Sequence, residues 1–291
     1  MGVDTSLPLR GEGWGGGEIR RERTMDTAVE KVRVGDIDIA YRLVGEGHPL
    51  VLIQGLTGTL DWWDPEFVDA LSRRYQVLLF DNRGAGRSDA PDGEWSVPQM
   101  AEDTVGLMDA LGIESAHVLG YSMGGMIAQE LALLHPERVD KLVLCVTFCG
   151  GKVTVQASRE VLLKLMDRSG TTDEQVERFA TLLFAPDWIE ENRSVLGDFK
   201  ERYLIAPTSD HNAARQFMAT VKFDASGRLD QVTVPTLVMC GAEDILIPPE
   251  NSRTIAEGIP GARLLAYPDA GHGFVWQLRE QALEDLTDFL G

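Results

Sequence analysis

The sequence predicts an α/β protein with a mostly parallel, eight-stranded sheet, helices on both faces and an inserted helical cap. Three observations predict it. Short apolar runs such as residues 50–53 and 77–80 alternate with helix-like stretches, the pattern of right-handed crossovers between parallel strands. Between one such run, residues 116–120, and a helix-like run, residues 126–134, stands Gly120-Tyr121-Ser122-Met123-Gly124-Gly125, a G-x-S-x-G pattern in which a serine occupies a sharp strand-to-helix turn. From about residue 152 to 228 the alternation stops and only helical periodicity remains.

In chain order, residues 1–24 are rich in glycine and arginine and lack a hydrophobic period, so they read as a disordered or loosely attached extension. Met25 opens a segment with the character of a natural start, and translation is expected to begin there. The intact mass of the native protein tests this: a mass that includes residue 1 overturns it. Val32 and Val34, then Ile37, Ile39, Tyr41 and Leu43, alternate around Gly35-Asp36 as the two strands of an edge hairpin. The continuous apolar run 50–53 suits a strand covered on both faces. It ends in the loop Gln54-Gly55-Leu56-Thr57-Gly58, followed by Trp62-Trp63-Asp64-Pro65 and an amphipathic stretch to Arg74.

The next strand, 77–80, runs into Asp81-Asn82-Arg83-Gly84-Ala85-Gly86-Arg87-Ser88. Its GxG lacks the G-x-G-x-x-G spacing of a nucleotide site and reads as a structural turn. Residues 97–111 form a helix with Ser96 as N-cap, Pro98 in the first turn and Gly112 just beyond the end. The serine turn follows, then a buried strand over 139–148. Helical spacing of Val161, Leu162, Leu165 and Met166, of Val176, Phe179, Leu182 and Leu183, and of Phe217 and Val221 marks residues 150–228 as a helical cap over the strand-end rim, where open α/β sheets bind ligands. The core is thus residues 25–149 and 229–291, closing with a strand over 236–240, a helix over 250–258, a strand over 263–267 and a helix to Phe289.

Composition narrows the function classes. With 291 residues, 44% of them hydrophobic and 25% charged, the chain can bury a full core. A net charge of −19 disfavours nucleic acid and anionic membranes as partners, because both repel it. No apolar run reaches the ~18 residues of a membrane span, and no signal-peptide core is seen near the first residue. The three cysteines, Cys145, Cys149 and Cys240, have neither disulfide nor zinc spacing and read as small core residues. A reducing, cytoplasmic setting is expected, with no metal and no cofactor.

Serine is a weak nucleophile unless a base lies within reach and a third group orients that base. Asp244 and His272 both follow strands closely, and with Ser122 they stand in the order Ser, Asp, His. Glu243 is an adjacent rival for the acid, and His48, His117, His135 and His211 lack a comparable setting.

With these residues in hand, the chain resembles the α/β-hydrolase superfamily from about residue 29 to 291. Gln54-Gly55, Asp81-x-Arg83-Gly84-x-Gly86-x-Ser88, Gly120-x-Ser122-x-Gly124-Gly125, Gly241-x-x-Asp244 and Gly271-His272 carry the resemblance. It implies a serine nucleophile at Ser122, a proton-relaying base at His272 and an orienting acid at Asp244. It also implies an oxyanion hole from the backbone N–H groups of Leu56 and Met123. The loop departs from the commoner His-Gly start by beginning Gln54-Gly55. Serine at the turn disfavours the aspartate-dependent relatives, and Tyr121 stands where carbon–carbon hydrolases often carry Asn. The run through Ile127 is similar to enol-lactone hydrolases, carboxylesterases and cofactor-free perhydrolases, between which fold-level likeness does not choose. An ester hydrolase acting on small to medium apolar acyl groups is expected, as a monomer or homodimer with a small-molecule ester or lactone substrate. The lactonase and perhydrolase activities are alternatives, and a non-catalytic ligand receptor is the contrasting class. Gln54, Gly55, Trp62, Trp63, Tyr121 and Phe274 are the candidate pocket residues.

Overall fold

In the computed structural model, residues 27–291 are described; the expectations for residues 1–24 and for a start at Met25 lie outside them. The hairpin forms from β1 (Glu30–Val34) and β2 (Ile37–Val44), which pair antiparallel around the two-residue turn Gly35-Asp36, with Gly35 at φ 53°. β3 (His48–Ile53), β4 (Tyr75–Phe80), β5 (Ala116–Tyr121), β6 (Val139–Cys145), β7 (Thr236–Gly241) and β8 (Arg263–Tyr267) complete one sheet of order β1-β2-β4-β3-β5-β6-β7-β8. Every pairing from β4 to β8 is parallel, and β2 joins β4 antiparallel.

Two helical layers cover it. Alternate residues of each central strand point to opposite faces, so Val51, Ile53, Leu78, Phe80, Leu142 and Leu144 pack against α2 (Val97–Ala110), α3 (Met123–Leu134) and α9 (Glu250–Gly258). Leu50, Leu52, Val77, Leu79, Val143 and Cys145 pack instead against α1 (Pro65–Ser72), α10 (Phe274–Gln277) and α11 (Arg279–Leu290). Burying one such leucine contributes about 1.5–3 kcal/mol, and double coverage is why these strands read as unbroken apolar runs. The helices start where the sequence provides caps: the Asp64 carboxylate accepts the Glu66 N–H at 3.0 Å, and the Ser96 hydroxyl accepts the Gln99 N–H at 3.2 Å. All three cysteines are free and buried in the strands or just beyond them.

One strand ends earlier than its apolar run predicts. Residues 139–148 are apolar enough for a longer strand, yet β6 stops at Cys145 because Val146 turns to φ 45°, a conformation β-branched residues rarely adopt. Between β6 and β7 the chain is helical: α4 (Arg159–Met166), α5 (Thr172–Leu183), α6 (Pro186–Glu191), α7 (Arg193–Ile205) and α8 (Asp210–Val221). A Thr171–Glu174 capping box starts α5. The turn after β4 is structural, as its spacing suggests: Arg83 is buried and bidentate to Asp103 at 2.6 and 2.7 Å, and the Asp81 carboxylate accepts the Leu60 N–H at 2.7 Å and the Arg87 N–H at 2.9 Å. Among the described residues no helix is long and apolar enough to cross a membrane.

At the N-terminal edge of the parallel strands, far from the rim that carries Ser122, His117 lies buried beside His48, whose ring is 4.4 Å away and pairs with Asp140 at 2.9 Å. Burial, then the neighbouring His48 and Lys141, push the His117 imidazole down to about 4, against the opposing pull of Asp140. The folded protein therefore holds His117 neutral, while the unfolded chain protonates it near its ordinary value of 6.5. This contribution to stability is full above about 6.5 and is lost as pH falls from there to about 4. His117→Phe should accordingly flatten the fall of the urea midpoint across that window; an unchanged pH dependence would show that His117 is not the group responsible.

Candidate active site

At the C-terminal end of β5 the chain turns sharply at Ser122, which sits at φ 56°, ψ −118° as the N-cap of α3. A residue other than glycine held there costs on the order of 1–3 kcal/mol, which surrounding contacts must offset. Its N–H donates to the Cys145 carbonyl at 2.9 Å, and its own carbonyl accepts the Gly125 N–H at 2.9 Å and the Thr147 hydroxyl at 2.8 Å. The glycines on either side are steric requirements. A Cβ on Gly124 would lie 2.0 Å from the Ile53 carbonyl oxygen of β3, and one on Gly120 would lie 2.3 Å from the Gly124 carbonyl oxygen. Only bare backbone lets α3 begin this close to the sheet.

Asp244 and His272 come together from the loops after β7 and β8. The His272 Nδ1 lies 2.7 Å from the Asp244 Oδ2, and both side chains are buried. The other carboxylate oxygen of Asp244 accepts the N–H groups of Leu246 and Ile247, each at 2.8 Å. With that oxygen occupied by two amides, Oδ2 is left to the imidazole, and the tautomer that suits this contact carries its hydrogen on Nδ1 with Nε2 free. The rival Glu243 is exposed and takes no part in this pairing. The Tyr121 hydroxyl donates to the His272 carbonyl, tying the residue before the serine to the histidine loop. Ser122 and His272 line one cavity.

The loop after β3 closes the other side of Ser122. A Cβ on Gly55 would come within 3.0 Å of the Ser122 Cβ. The amides of this loop can be accounted for one by one. Gly55 N–H donates to the Gln54 Oε1 at 2.8 Å, Thr57 N–H to the Gln216 Oε1 at 2.9 Å, and Gly58 N–H to the Gly55 carbonyl at 3.1 Å. Among the described residues the Leu56 N–H has no acceptor, nor does the Met123 N–H at the first turn of α3. Both residues line the cavity. The first N–H groups of a helix have no partner within it, so the open Met123 amide follows from its place at the start of α3.

The cavity encloses about 330 Å³, toward the small end of ligand sites. Its wall is mainly apolar: Met126 and Phe148 from the core meet Leu162, Phe179, Phe199 and Phe217 from the cap. Arg168, bonded to the Tyr203 hydroxyl at 3.4 Å, is a cationic side chain in the wall.

Of the candidate pocket residues, Gln54, Gly55, Trp62 and Tyr121 line the cavity, with Trp62 set among cap residues such as Phe199 and Tyr203. Trp63 and Phe274 do not. Trp63 stacks on Phe67, and Phe274 stacks between Tyr121 and Tyr267 in the core beneath the site. An aromatic residue next to a functional loop is as useful for supporting it as for lining it, and sequence position does not tell the two apart. Side chains that the motifs did not flag are Thr147 under the serine, Gln216 on the Thr57 amide and Asn251, which exchanges two 2.9 Å hydrogen bonds with the Val155 backbone in the cavity wall. The one available signal was polarity within otherwise apolar periodic stretches.

A crossover sheet with a serine at the strand-to-helix turn defines a class of α/β enzymes, and sequence comparison makes it specific. Residues 48–277 match the family described as alpha/beta hydrolase fold, and the chain belongs to that family. It is 34% identical over 257 residues to a protein of Azorhizobium caulinodans named "Putative carbamate hydrolase RutD", covering 88% of this chain and 96% of the relative. Among solved structures, a hydrolase from Pseudomonas aeruginosa PA01 superposes with a TM-score of 0.79 at 31% identity over 90% of this chain and 98% of that one. The enol-lactonase from Burkholderia xenovorans LB400 gives a TM-score of 0.77 at 28% identity, over 90% and 99%.

Proposed function

We propose that this hydrolase cleaves carboxylic esters with small to medium apolar acyl groups through an acyl-enzyme on Ser122. The observation that carries the reading is the convergence on one cavity of a strained serine, a histidine oriented by a buried carboxylate, and two open amides. The Ser122 hydroxyl attacks the ester carbonyl as His272 Nε2 takes its proton. The carbonyl oxygen, now negative, receives the Leu56 and Met123 N–H groups. His272 returns the proton to the departing alcohol, and the same steps with water release the acid. Asp244 accepts the Nδ1–H and holds the ring in place. The acyl chain lies against Leu162, Phe179 and Phe217, whose apolar surface rewards burial by about 25 cal/mol per Å².

Lactones are the second reading, supported by the likeness to an enol-lactonase: a cyclic ester presents the same carbonyl to the same groups, and its alcohol stays tethered after ring opening. The name of the Azorhizobium relative points to carbamates as a further substrate class, and the mainly apolar wall of the cavity of about 330 Å³ favours esters with apolar acyl groups over them. Peroxide as acyl acceptor in place of water and a ligand receptor without turnover are the remaining alternatives.

Ser122→Ala should lower turnover of 4-nitrophenyl butyrate by about 10³-fold or more while leaving the fold intact. A panel of 4-nitrophenyl esters, γ- and δ-lactones, carbamate, and acetate with peroxide ranks the substrates, with kcat/KM expected to be highest for esters of short to medium chain. Unchanged turnover in Ser122→Ala would refute the nucleophile assignment, and a marked preference for carbamate would refute the substrate class.

A further inference from the structure

The cap does more than wall the cavity. Thr57, the residue after the open Leu56 amide, sits at φ 62°, a conformation that a threonine on its own disfavours. Both of its backbone polar groups are held by cap side chains. Its N–H donates to the Oε1 of Gln216 at 2.9 Å, and its carbonyl accepts the hydroxyl of Thr208 at 2.9 Å. Gln216 lies on α8 and is fully buried, and Thr208 lies just before α8. Gln216 is itself fixed at its other end, where Nε2 donates to the Arg83 carbonyl at 2.9 Å. Thr208 also accepts the Gly86 N–H at 3.3 Å, and the neighbouring Asn212 amide donates to the Gly84 carbonyl at 3.0 Å. Arg83 is in turn anchored in the core by its ion pair with Asp103.

The loop's conformation therefore depends on a segment more than a hundred residues away in sequence. Gly55 and Gly58 hold each other through a local turn, and the Gln54 side chain serves only its neighbour's amide. The Gln54 carbonyl accepts the Asn82 Nδ2 at 2.9 Å, and Thr57 is where the loop is tied to the cap. Thr57 is the third residue of the Gly55–Gly58 turn, a position that in type II turns takes positive φ but favours Gly or Asn. With the cap bonds removed, the turn would hold a threonine there without their support, and the peptide joining Leu56 to Thr57 could rotate. Such a change would turn the Leu56 amide relative to Ser122.

Resting on the serine-hydrolase reading above, we propose that Gln216 and Thr208 are positioning residues for the oxyanion hole, so that docking of the cap through α8 sets the hole as well as the substrate cavity. Two cap side chains clamp the strained residue next to the oxyanion donor at its N–H and its C=O. Neither touches the reacting atoms. Their effect should fall on the charged transition state and spare the ground state, because only the developing oxyanion needs the Leu56 amide correctly aimed.

The test compares Gln216→Met, which keeps length but removes the amide, with Thr208→Val and Thr208→Ser, using 4-nitrophenyl butyrate and wild-type and Ser122→Ala references. Gln216→Met and Thr208→Val should lower kcat by about 10- to 100-fold, as for a misplaced rather than a deleted donor, with KM within about 3-fold of wild type. Thr208→Ser should recover most of the loss, since it restores the hydroxyl. A trifluoromethyl ketone inhibitor, bound as an anionic hemiketal, should lose affinity in step with kcat/KM, while the matching neutral methyl ether should bind as before. If Gln216→Met cannot be obtained folded, the Thr208 pair reads the same residue from its other side. Wild-type kcat in both Gln216→Met and Thr208→Val, or a loss seen entirely as raised KM, would overturn the clamp while leaving Ser122 as nucleophile. Full activity in Ser122→Ala would instead overturn the reading beneath it.

Discussion

The constraint on which the site depends is the close approach of three neighbouring strand ends, β3, β5 and β6, around one turn of helix. Gly124 packs its α-carbon against the Ile53 carbonyl, and Gly120 packs against Gly124. With no side chain between them, α3 starts directly above the sheet and Ser122 is forced into its unusual conformation. Among the described residues the non-glycine residues at positive φ are Thr57, Ser122 and Val146, and each follows one of these three strands. At about 1–3 kcal/mol each, this concentration of strain is comparable to a large part of a typical domain's net stability. It persists because each residue is held from outside: Thr57 by the cap, Ser122 by Thr147 and the Cys145 carbonyl, and Val146 by its N–H bond to Met239.

Chemistry and support therefore come from different parts of the chain. Ser122, Asp244 and His272 sit at strand ends of the core, where the parallel β-structure brings them to one rim. The apolar wall of the cavity comes largely from the cap, as do two hydrogen bonds on Thr57 in the loop after β3. On the proposed mechanism, substrate choice would rest with the same helices that hold this loop. Closely related sequences with different cap residues are then expected to differ in rate as well as in specificity.

Much of the fold was legible because the physics that encodes it is local or periodic. Runs buried on both faces, such as residues 50–53, announced parallel strands, and Ser96, Pro98 and Gly112 marked the ends of α2. Ser122, Asp244 and His272 could be picked out as candidates because each follows a strand of the same sheet, and the fold pairs Asp244 with His272 and sets Ser122 and His272 in one cavity wall. What was not legible was long-range or depended on direction. Val146 looks like strand from its side chain, and only its backbone turn ends β6. Trp63 and Phe274 stand beside functional loops but point into the core. Gln216 and Thr208 carry no motif, since their role exists only once the cap is folded back onto Thr57, and the helices α6 and α7 lack the clear apolar stripe that marked their neighbours.

The central claim is that the Ser122 hydroxyl is activated by a His272 base that Asp244 holds in one tautomer. Intact-protein mass spectrometry after brief exposure to a fluorophosphonate, with peptide mapping of the adduct, tests it most directly. A single phosphonyl adduct on Ser122 is expected, formed rapidly by the wild type, about 10²-fold or more slowly by His272→Ala, and not at all by Ser122→Ala. Labelling at another residue, or labelling of Ser122 at equal rates with and without His272, would contradict it.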